Sequence, residues 1–326
     1  MNTGMNTNLI RKRMATILTK QKALLAVTLM FVMMLFFRTN FYTSYNLLDL
    51  LKSASIMEIL AFGVTLTIIC GGCDLSIGST MCLSGIIAVM LINSGFPMFA
   101  SVLIAIVSGG IVGFVNGFFV VKQKTEPFII TLGMGMLIKG ACQQITDAHP
   151  IASKNMDFMS ISNGKIIGEI PNLVVIMVIM LVVSFCVLRY TQFGRNCYAV
   201  GGDYDVAVYS GINAVRTKWA TYIICGLMAA FAGVLLSSKL NSASSTYGDT
   251  TAMLVNCGVV VGGTSFAGGV GGIPQSAIGL LVFSVLENCM NMLGIHPYIQ
   301  QVFRGVVIVA IIYWDCFGRK RKREAV

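Results

Sequence analysis

The chain has 326 residues, of which 56% are hydrophobic and 11% charged, and its mean hydropathy is +0.81. This composition excludes an ordinary soluble domain and predicts an all-α integral membrane protein built from long apolar helices. The net charge of +10 does not indicate nucleic-acid binding, because the basic residues cluster at the ends of apolar runs. In that position basic residues act as signals of membrane topology.

Ten apolar runs predict about ten transmembrane helices, although several are shorter than the roughly 20 residues that a straight span needs. We therefore divide the chain into a cytoplasmic segment at residues 1–22, a membrane domain at 23–317 and a basic cytoplasmic tail at 318–326. The runs cover residues 23–37, 53–72, 79–94, 97–121, 127–146, 172–190, 218–238, 250–261, 273–293 and 298–317.

The basic residues indicate which side of the membrane each connection occupies. With the amino terminus inside, the inner segments hold 16 basic residues and the outer segments hold five, while Lys139 and Arg304 lie within spans. Because inner loops of membrane proteins are enriched in lysine and arginine, this bias predicts that both termini are cytoplasmic.

The cysteines and histidines predict no metal site and no catalytic site. The ten cysteines show no paired pattern in an external loop, so a disulfide framework is not expected. Cys70 and Cys73 form a CxxC motif, but no second motif or nearby histidine accompanies it. His149 and His296 each precede a proline in a short external turn, without a set of catalytic partners.

The longest polar interruption on the predicted inner side runs from residue 189 to residue 218. The glycine pair Gly201-Gly202 predicts a flexible link, and residues 203–210 are long enough for about two helical turns before Gly211. A short helix on a loop with basic ends is typical of a docking element for a soluble partner, and a plain connector is the alternative. The basic residues of this loop are Arg189, Arg195, Arg216 and Lys218.

The largest outer segment covers residues 147–171 and mixes acidic and basic side chains. It is a candidate platform for an external partner, and a solvated loop is the plain alternative.

Polar residues inside predicted spans are informative because burying them is costly unless they face a partner or water. In two spans they recur every three or four residues and so share one helix face. A substrate path, structural pairing and a proton relay can each account for them. Hydroxyl and amide groups outnumber titratable groups, which favours a neutral polyhydroxy ligand. The candidate pathway residues are Glu58, Asn116, Lys139, Gln143, Glu287, Asn288, Asn291 and Arg304.

Small residues predict where helices touch. Gly109, Gly113 and Gly117 repeat every four residues in one span, and Gly226, Ala230 and Gly233 share a side of another. The glycine-rich segment 262–272 lacks the Gly-Lys-Ser/Thr ending of a phosphate-binding loop, so it predicts a turn and not a nucleotide site. The chain therefore shows no energy source of its own.

Five segments resemble, in order and spacing, the permease subunits of bacterial ABC importers for monosaccharides of the ribose, xylose and galactoside type. The resemblance covers roughly residues 53–317. The segments are GVTLTIICGGCDLSIGS (63–79), NGFFVVKQKTEPFIITLGMG (116–135), FGRNCYAVGGDYDVAVYSGI (193–212), VGGTSFAGGVG (261–271) and LENCMNMLGIHPYIQQVFRG (286–305).

The resemblance implies the ABC importer permease fold in the bacterial inner membrane, working as a pair of permease copies. It also implies a cytoplasmic ATPase that uses ATP and Mg²⁺, so no cofactor is expected on this chain, and a sugar-binding protein outside the membrane. The polar loop would then be the element that couples transport to the ATPase. The candidate coupling residues are Gly194, Arg195, Gly201, Gly202, Asp203, Gly211 and Ile212.

Two other functions remain open at this point. A proton-coupled secondary transporter would use Glu58 and Glu287 as proton carriers. A related ABC permease for branched-chain amino acids or nucleosides would share the coupling loop and differ in its ligand.

Overall fold

The computed structural model describes residues 22–37, 40–307 and 309–310. Each of the ten predicted runs contains a helix within these residues, which confirms an all-α membrane protein. The predicted tail at 318–326, nearly all of the segment 1–22 and the end of the tenth run lie outside the described residues.

The helices follow the apolar runs, with additional short helices in the polar connections. Helix α4 continues into a wider, π-helical turn at Phe118–Lys122. The helices are α1 Lys22–Met34, α2 Ser44–Ile69, α3 Ile77–Asn93, α4 Met98–Gly117, α5 Pro127–Thr146, α6 Asp157–Asn163, α7 Asn172–Tyr190, α8 Gln192–Gly202, α9 Tyr204–Tyr209, α10 Ala214–Leu240, α11 Thr251–Val261, α12 Ile273–Met292 and α13 at residues 297–307, with a 3₁₀ turn at Asn40–Tyr42.

Within the described residues, five helices are long and apolar enough to cross a bilayer: α4 with its π-helical turn, α5, α7, α10 and α12. Helix α2 begins earlier than its apolar run because the Thr43 hydroxyl accepts a hydrogen bond from the Asn46 N–H at 3.3 Å and caps the helix. Helix α11 has only 11 residues. At about 1.5 Å per residue it cannot cross an apolar layer of about 30 Å by itself, so the eighth run is a half-length span.

Helix α10 lies at the centre of the bundle and packs against α4, α3 and α2. The predicted glycine contact lies here: a methyl group on Gly226 would overlap the Gly109 carbonyl, and one on Gly113 would overlap the Tyr222 carbonyl. Glycine lets the two backbones approach this closely, as small residues do in membrane helix pairs. Helices α1 and α5 are peripheral, since they pack mainly on α12 and α3 respectively.

The segment 147–171 is structured. Strand β1 (Ile151–Ala152) pairs with β4 (Ser242–Ala243), and β2 (Lys165–Ile167) forms a hairpin with β3 (Ile170–Pro171). Helix α6 is tied to α10, because the Ser162 hydroxyl donates to the Leu235 carbonyl at 2.8 Å and the Ser238 hydroxyl donates to the Phe158 carbonyl at 2.6 Å. This segment therefore caps one end of the bundle and is more than a plain solvated loop.

Candidate coupling loop and polar cavity

The loop at residues 189–218 folds into two short helices, each begun by a capping side chain. The Thr191 hydroxyl accepts from the Gly194 N–H at 3.2 Å at the start of α8, and an Asp203 carboxylate oxygen accepts from the Val206 N–H at 3.0 Å at the start of α9. Such side chains satisfy N–H groups that a helix start leaves free. Gly211 ends α9 with a φ of 80°, a conformation that favours glycine. The predicted short helix is confirmed.

The prediction that Gly201-Gly202 forms a flexible link is wrong. Both glycines belong to the last turn of α8. A methyl group on Gly201 would overlap the Ile69 carbonyl oxygen, whereas nothing lies within 4 Å of the corresponding position on Gly202. Gly201 is therefore a packing residue, and the local pattern failed to show this because its contact lies far away in the sequence.

Helix α9 buries little of its own apolar surface. Ala207 is buried, but the side chains of Val206, Val208 and Tyr209 are exposed, Tyr209 to 89%. With Tyr204, which is also exposed, four exposed apolar side chains lie on this six-residue helix; these are more than a connector needs, and such patches mark interaction surfaces. Among the other predicted coupling residues, Gly194 is buried against the last turn of α7, Arg195 is exposed, and Ile212 packs partly buried beneath α8.

A non-helical segment at residues 70–76, the helix break, joins α2 to α3 inside the bundle. Its carbonyl groups accept hydrogen bonds from side chains on α10 and α11: Lys218 donates to Gly71 at 3.0 Å, Tyr222 to Cys73 at 3.2 Å, and Asn256 to Asp74 at 3.0 Å. Irregular backbone is tolerated at membrane depth only where protein groups or water satisfy it in this way.

A polar cavity of about 260 Å³ lies between α2, α3, α10 and α12. Ser284, Glu287, Asn288 and Asn291, which the sequence places on one face of a helix, all line it. Hydroxyl, amide and charged groups therefore converge in one cavity. The remaining lining residues are Asp49, Leu50, Ser53, Ile56, Met57, Met81, Leu236, Lys239 and Tyr247.

Most of the charged pathway candidates are paired with another side chain. The Arg304 guanidinium contacts the Glu287 carboxylate at 2.8 Å, and the Lys139 ammonium contacts the Asp249 carboxylate at 2.7 Å. Glu58 is fully buried in α2, and within the described residues neither of its carboxylate oxygens has a hydrogen-bond partner.

The amide candidates divide into two groups. Asn288 exchanges two hydrogen bonds with Asn46, at 2.9 and 3.0 Å, and the Asn291 side-chain oxygen accepts from Gln300 at 2.9 Å. Asn116 instead lies near the helix break, where its side chain donates to the Ser76 hydroxyl at 2.8 Å. Glu58, Asn116, Lys139 and Gln143 are not among the residues that line the cavity.

Comparison with known protein families shows to which family the chain belongs. The family described as branched-chain amino acid transport system / permease component matches residues 46–312. The chain belongs to this permease family. The match includes the loop at residues 189–218, the helix break and the polar cavity.

The permease is also similar to curated proteins over nearly its whole length. It is 34% identical to the ribose import permease protein RbsC of Haemophilus influenzae over 93% of this chain and 95% of that protein. It is 30% identical to the L-arabinose transport system permease protein AraH of Escherichia coli, over 92% and 91% of the two chains. It is 32% identical to the D-allose transport system permease protein AlsC of Escherichia coli, over 84% of each. No solved structure matches the permease significantly.

Sequence reasoning missed part of the permease's cavity. Asp49, Ser53, Lys239 and Tyr247 line it but lie in the first half of α2, in the last turn of α10 or in a connection, so no periodic pattern marks them. The Lys239 ammonium donates to the Ser53 hydroxyl at 2.9 Å and lies 3.7 Å from the Asp49 carboxylate. The sequence did offer one signal for these residues. Charged side chains lie just before the predicted span at 53–72 and just after the predicted span at 218–238.

Proposed function

We propose that this chain is the membrane-spanning permease subunit of an ABC importer that moves a monosaccharide or a similar polyhydroxy solute into the cytoplasm. Membership of a transport permease family supports the proposal, and so do relatives named for ribose, L-arabinose and D-allose. The observation in the structure that carries it is α9, a short capped helix with exposed apolar side chains in the loop that bears four basic residues.

The proposal assigns the energy-consuming step to other subunits. Two cytoplasmic ATPase sites would bind ATP and Mg²⁺, while α8 and α9 would receive their movement through Gly194, Arg195, Asp203, Gly211 and Ile212. A second copy of the permease, an extracytoplasmic sugar-binding protein and the surrounding lipid would complete the importer. The excess of basic residues in the inner segments supports placing both termini in the cytoplasm and the chain in the bacterial inner membrane.

The polar cavity suits a neutral, hydroxyl-rich solute. Its charged lining groups are balanced, because Glu287 is paired with Arg304 and Asp49 lies near Lys239. Serine, tyrosine and asparagine side chains there supply donors and acceptors, which sugar hydroxyl groups need for orientation. We therefore assign Glu287, Asn288, Asn291 and Arg304 to the pathway or its support, and Glu58, Asn116, Lys139 and Gln143 to the surrounding framework.

The test is ATP-dependent uptake by the complete importer. The tagged chain is extracted gently from its native membrane, the proteins that co-purify are identified, and the complex is reconstituted in proteoliposomes. We expect an ATPase and a binding protein to co-purify, and we expect ATP to drive uptake of radiolabelled D-ribose, L-arabinose or D-allose. An excess of L-leucine should not reduce that uptake.

The same assay separates the alternative functions. Uptake that is inhibited by leucine or by nucleosides, and not by sugars, would indicate a different solute for the same kind of importer. Uptake that persists without any ATPase and collapses with a proton uncoupler would contradict the proposal. In that case Glu58, buried and without a hydrogen-bond partner in the described residues, would be the first candidate proton carrier.

A further inference from the structure

Three backbone segments meet at the end of the bundle that carries the loop at residues 189–218. They are the last turn of α2, the last turn of α8 and the glycine-rich turn at residues 262–272. The Gly269 N–H donates to the Ile69 carbonyl at 2.9 Å, and Gly201 packs against that same carbonyl. A methyl group on Gly268 would in turn overlap the Gly201 carbonyl. Glycine at these positions allows contact between backbones with no side chain between them.

A side-chain hydrogen bond also connects α8 to this junction. The Tyr198 hydroxyl donates to the Gly271 carbonyl at 2.8 Å. Burial raises the pKa of Tyr198, so the hydroxyl keeps its proton and remains a donor. Cys197, on the same helix, is buried in an apolar cluster with Cys70, the first residue of the helix break. Helix α8 is therefore held to the end of α2 by packing and to the glycine-rich turn by a directional bond.

The helix break begins directly after Ile69. Gly71, with a φ of 70°, ends α2, and an Asp74 carboxylate oxygen accepts from the N–H and the hydroxyl of Ser76 at 2.8 and 2.6 Å. The Leu75 N–H donates to the Thr131 hydroxyl at 3.1 Å. Together with the bonds from α10 and α11, these contacts fix the break in one conformation.

The break leads on to the polar cavity through α3. Gly78, in the first turn of α3, is in close backbone contact with Gly248, whose chain neighbour Tyr247 lines the cavity. Met81, one turn further along α3, lines it as well. A continuous set of contacts therefore runs from the coupling loop to the cavity.

We propose that Gly201 and Tyr198 are positioning residues: Gly201 holds α8 against the end of α2, directly before the helix break at residues 70–76, and Tyr198 holds it against the glycine-rich turn, so that displacement of the coupling loop is transmitted through the break to α3 and the polar cavity. This inference rests on the proposed function, since it assigns the route of coupling within the importer. Under this proposal α8 itself transmits displacement to the membrane helices, in addition to the exposed helix α9.

The test measures ATP hydrolysed per molecule of D-ribose taken up by the reconstituted importer, or of L-arabinose or D-allose if one of these is the solute transported. Gly201→Ala forces α8 away from Ile69, and we expect this ratio to rise about tenfold, within the range typical of coupling between sites. Tyr198→Phe removes only the hydroxyl, and we expect a rise of about threefold, which is the order of effect that loss of one neutral hydrogen bond produces. The matched control is Gly202→Ala. No atom lies within 4 Å of the added methyl group, so we withdraw Gly202 from the candidate coupling residues and expect this variant to change the ratio by less than about twofold.

The outcomes separate this inference from the proposed function. If the unaltered complex shows no ATP-dependent uptake, the proposed function fails. If the unaltered complex is coupled and both Gly201→Ala and Tyr198→Phe keep its ratio, the inference alone is overturned. Should Gly201→Ala fail to assemble, Tyr198→Phe decides by itself: a raised ratio with an unchanged melting midpoint supports the inference, and a normal ratio overturns it.

Discussion

Replacing Gly226 with leucine is expected to prevent the native packing of α10 against α4. Gly226 and Gly109 are in direct backbone contact, so the four added carbon atoms have no space. Overpacking a tight core usually lowers the stability of a protein by about 1 to 3 kcal/mol. Because the two backbones cannot move apart here, we expect the loss for Gly226→Leu to reach the upper end of this range or exceed it. We expect little folded protein to accumulate, with a melting midpoint in mild detergent well below that of the unaltered chain.

The matched control is Gly133→Leu on the peripheral helix α5. No atom lies within 4 Å of the position where a methyl group on Gly133 would stand. The two variants add the same side chain to a membrane helix, so they differ in the contact and not in hydropathy. If both variants accumulate and melt alike, the close packing of α10 on α4 is contradicted.

Replacing Arg304 with alanine is expected to lower sugar uptake about tenfold, which corresponds to about 1.4 kcal/mol. The Arg304–Glu287 contact of 2.8 Å balances a carboxylate that lines the cavity, and the two side chains are 22% and 40% exposed. Removing one partner of a fully buried charge pair costs about 2 kcal/mol or more, and partial exposure reduces this penalty. The measurement is the initial rate of ATP-dependent uptake in proteoliposomes.

Two further variants test whether the unpaired carboxylate causes the loss. Arg304→Lys keeps the positive charge and should retain more uptake than Arg304→Ala. Adding Glu287→Gln to Arg304→Ala removes the unbalanced charge and should restore part of the rate. An Arg304→Ala rate equal to that of the unaltered importer, or a double variant slower than the single one, would show that the pair does not support transport.

The sequence located the helices well because the hydropathy of an apolar run depends only on the residues within that run. It was less accurate at helix starts: α2 begins at Ser44, since a capping threonine and the polar residues Asn46, Asp49 and Lys52 belong to the helix although they lower its hydropathy. It also gave the eighth run as a span, whereas α11 is half-length and packs mainly on α12 and α2.

The candidate site was likewise predicted well where neighbouring residues decide the structure and poorly where residues far apart in the chain do. Helical periodicity placed Ser284, Glu287, Asn288 and Asn291 on one face, and they do share one cavity. Periodicity could not show that Lys139 meets Asp249, because those residues are 110 positions apart in the chain. For the same reason it treated Gly201 and Gly202 as equivalent, although only Gly201 packs against Ile69.

The sequence by itself determined the class of protein, the apolar runs, the basic loop with its short helix and the polar face of α12. These properties depend on hydropathy, charge and the helical repeat, all of which act over a few neighbouring residues. Only the tertiary structure decided the junction of α2, α8 and the glycine-rich turn, the buried helix break and the set of helices that form the cavity. Those features join segments that are far apart in the chain, and a helix face does not specify which neighbour it will meet.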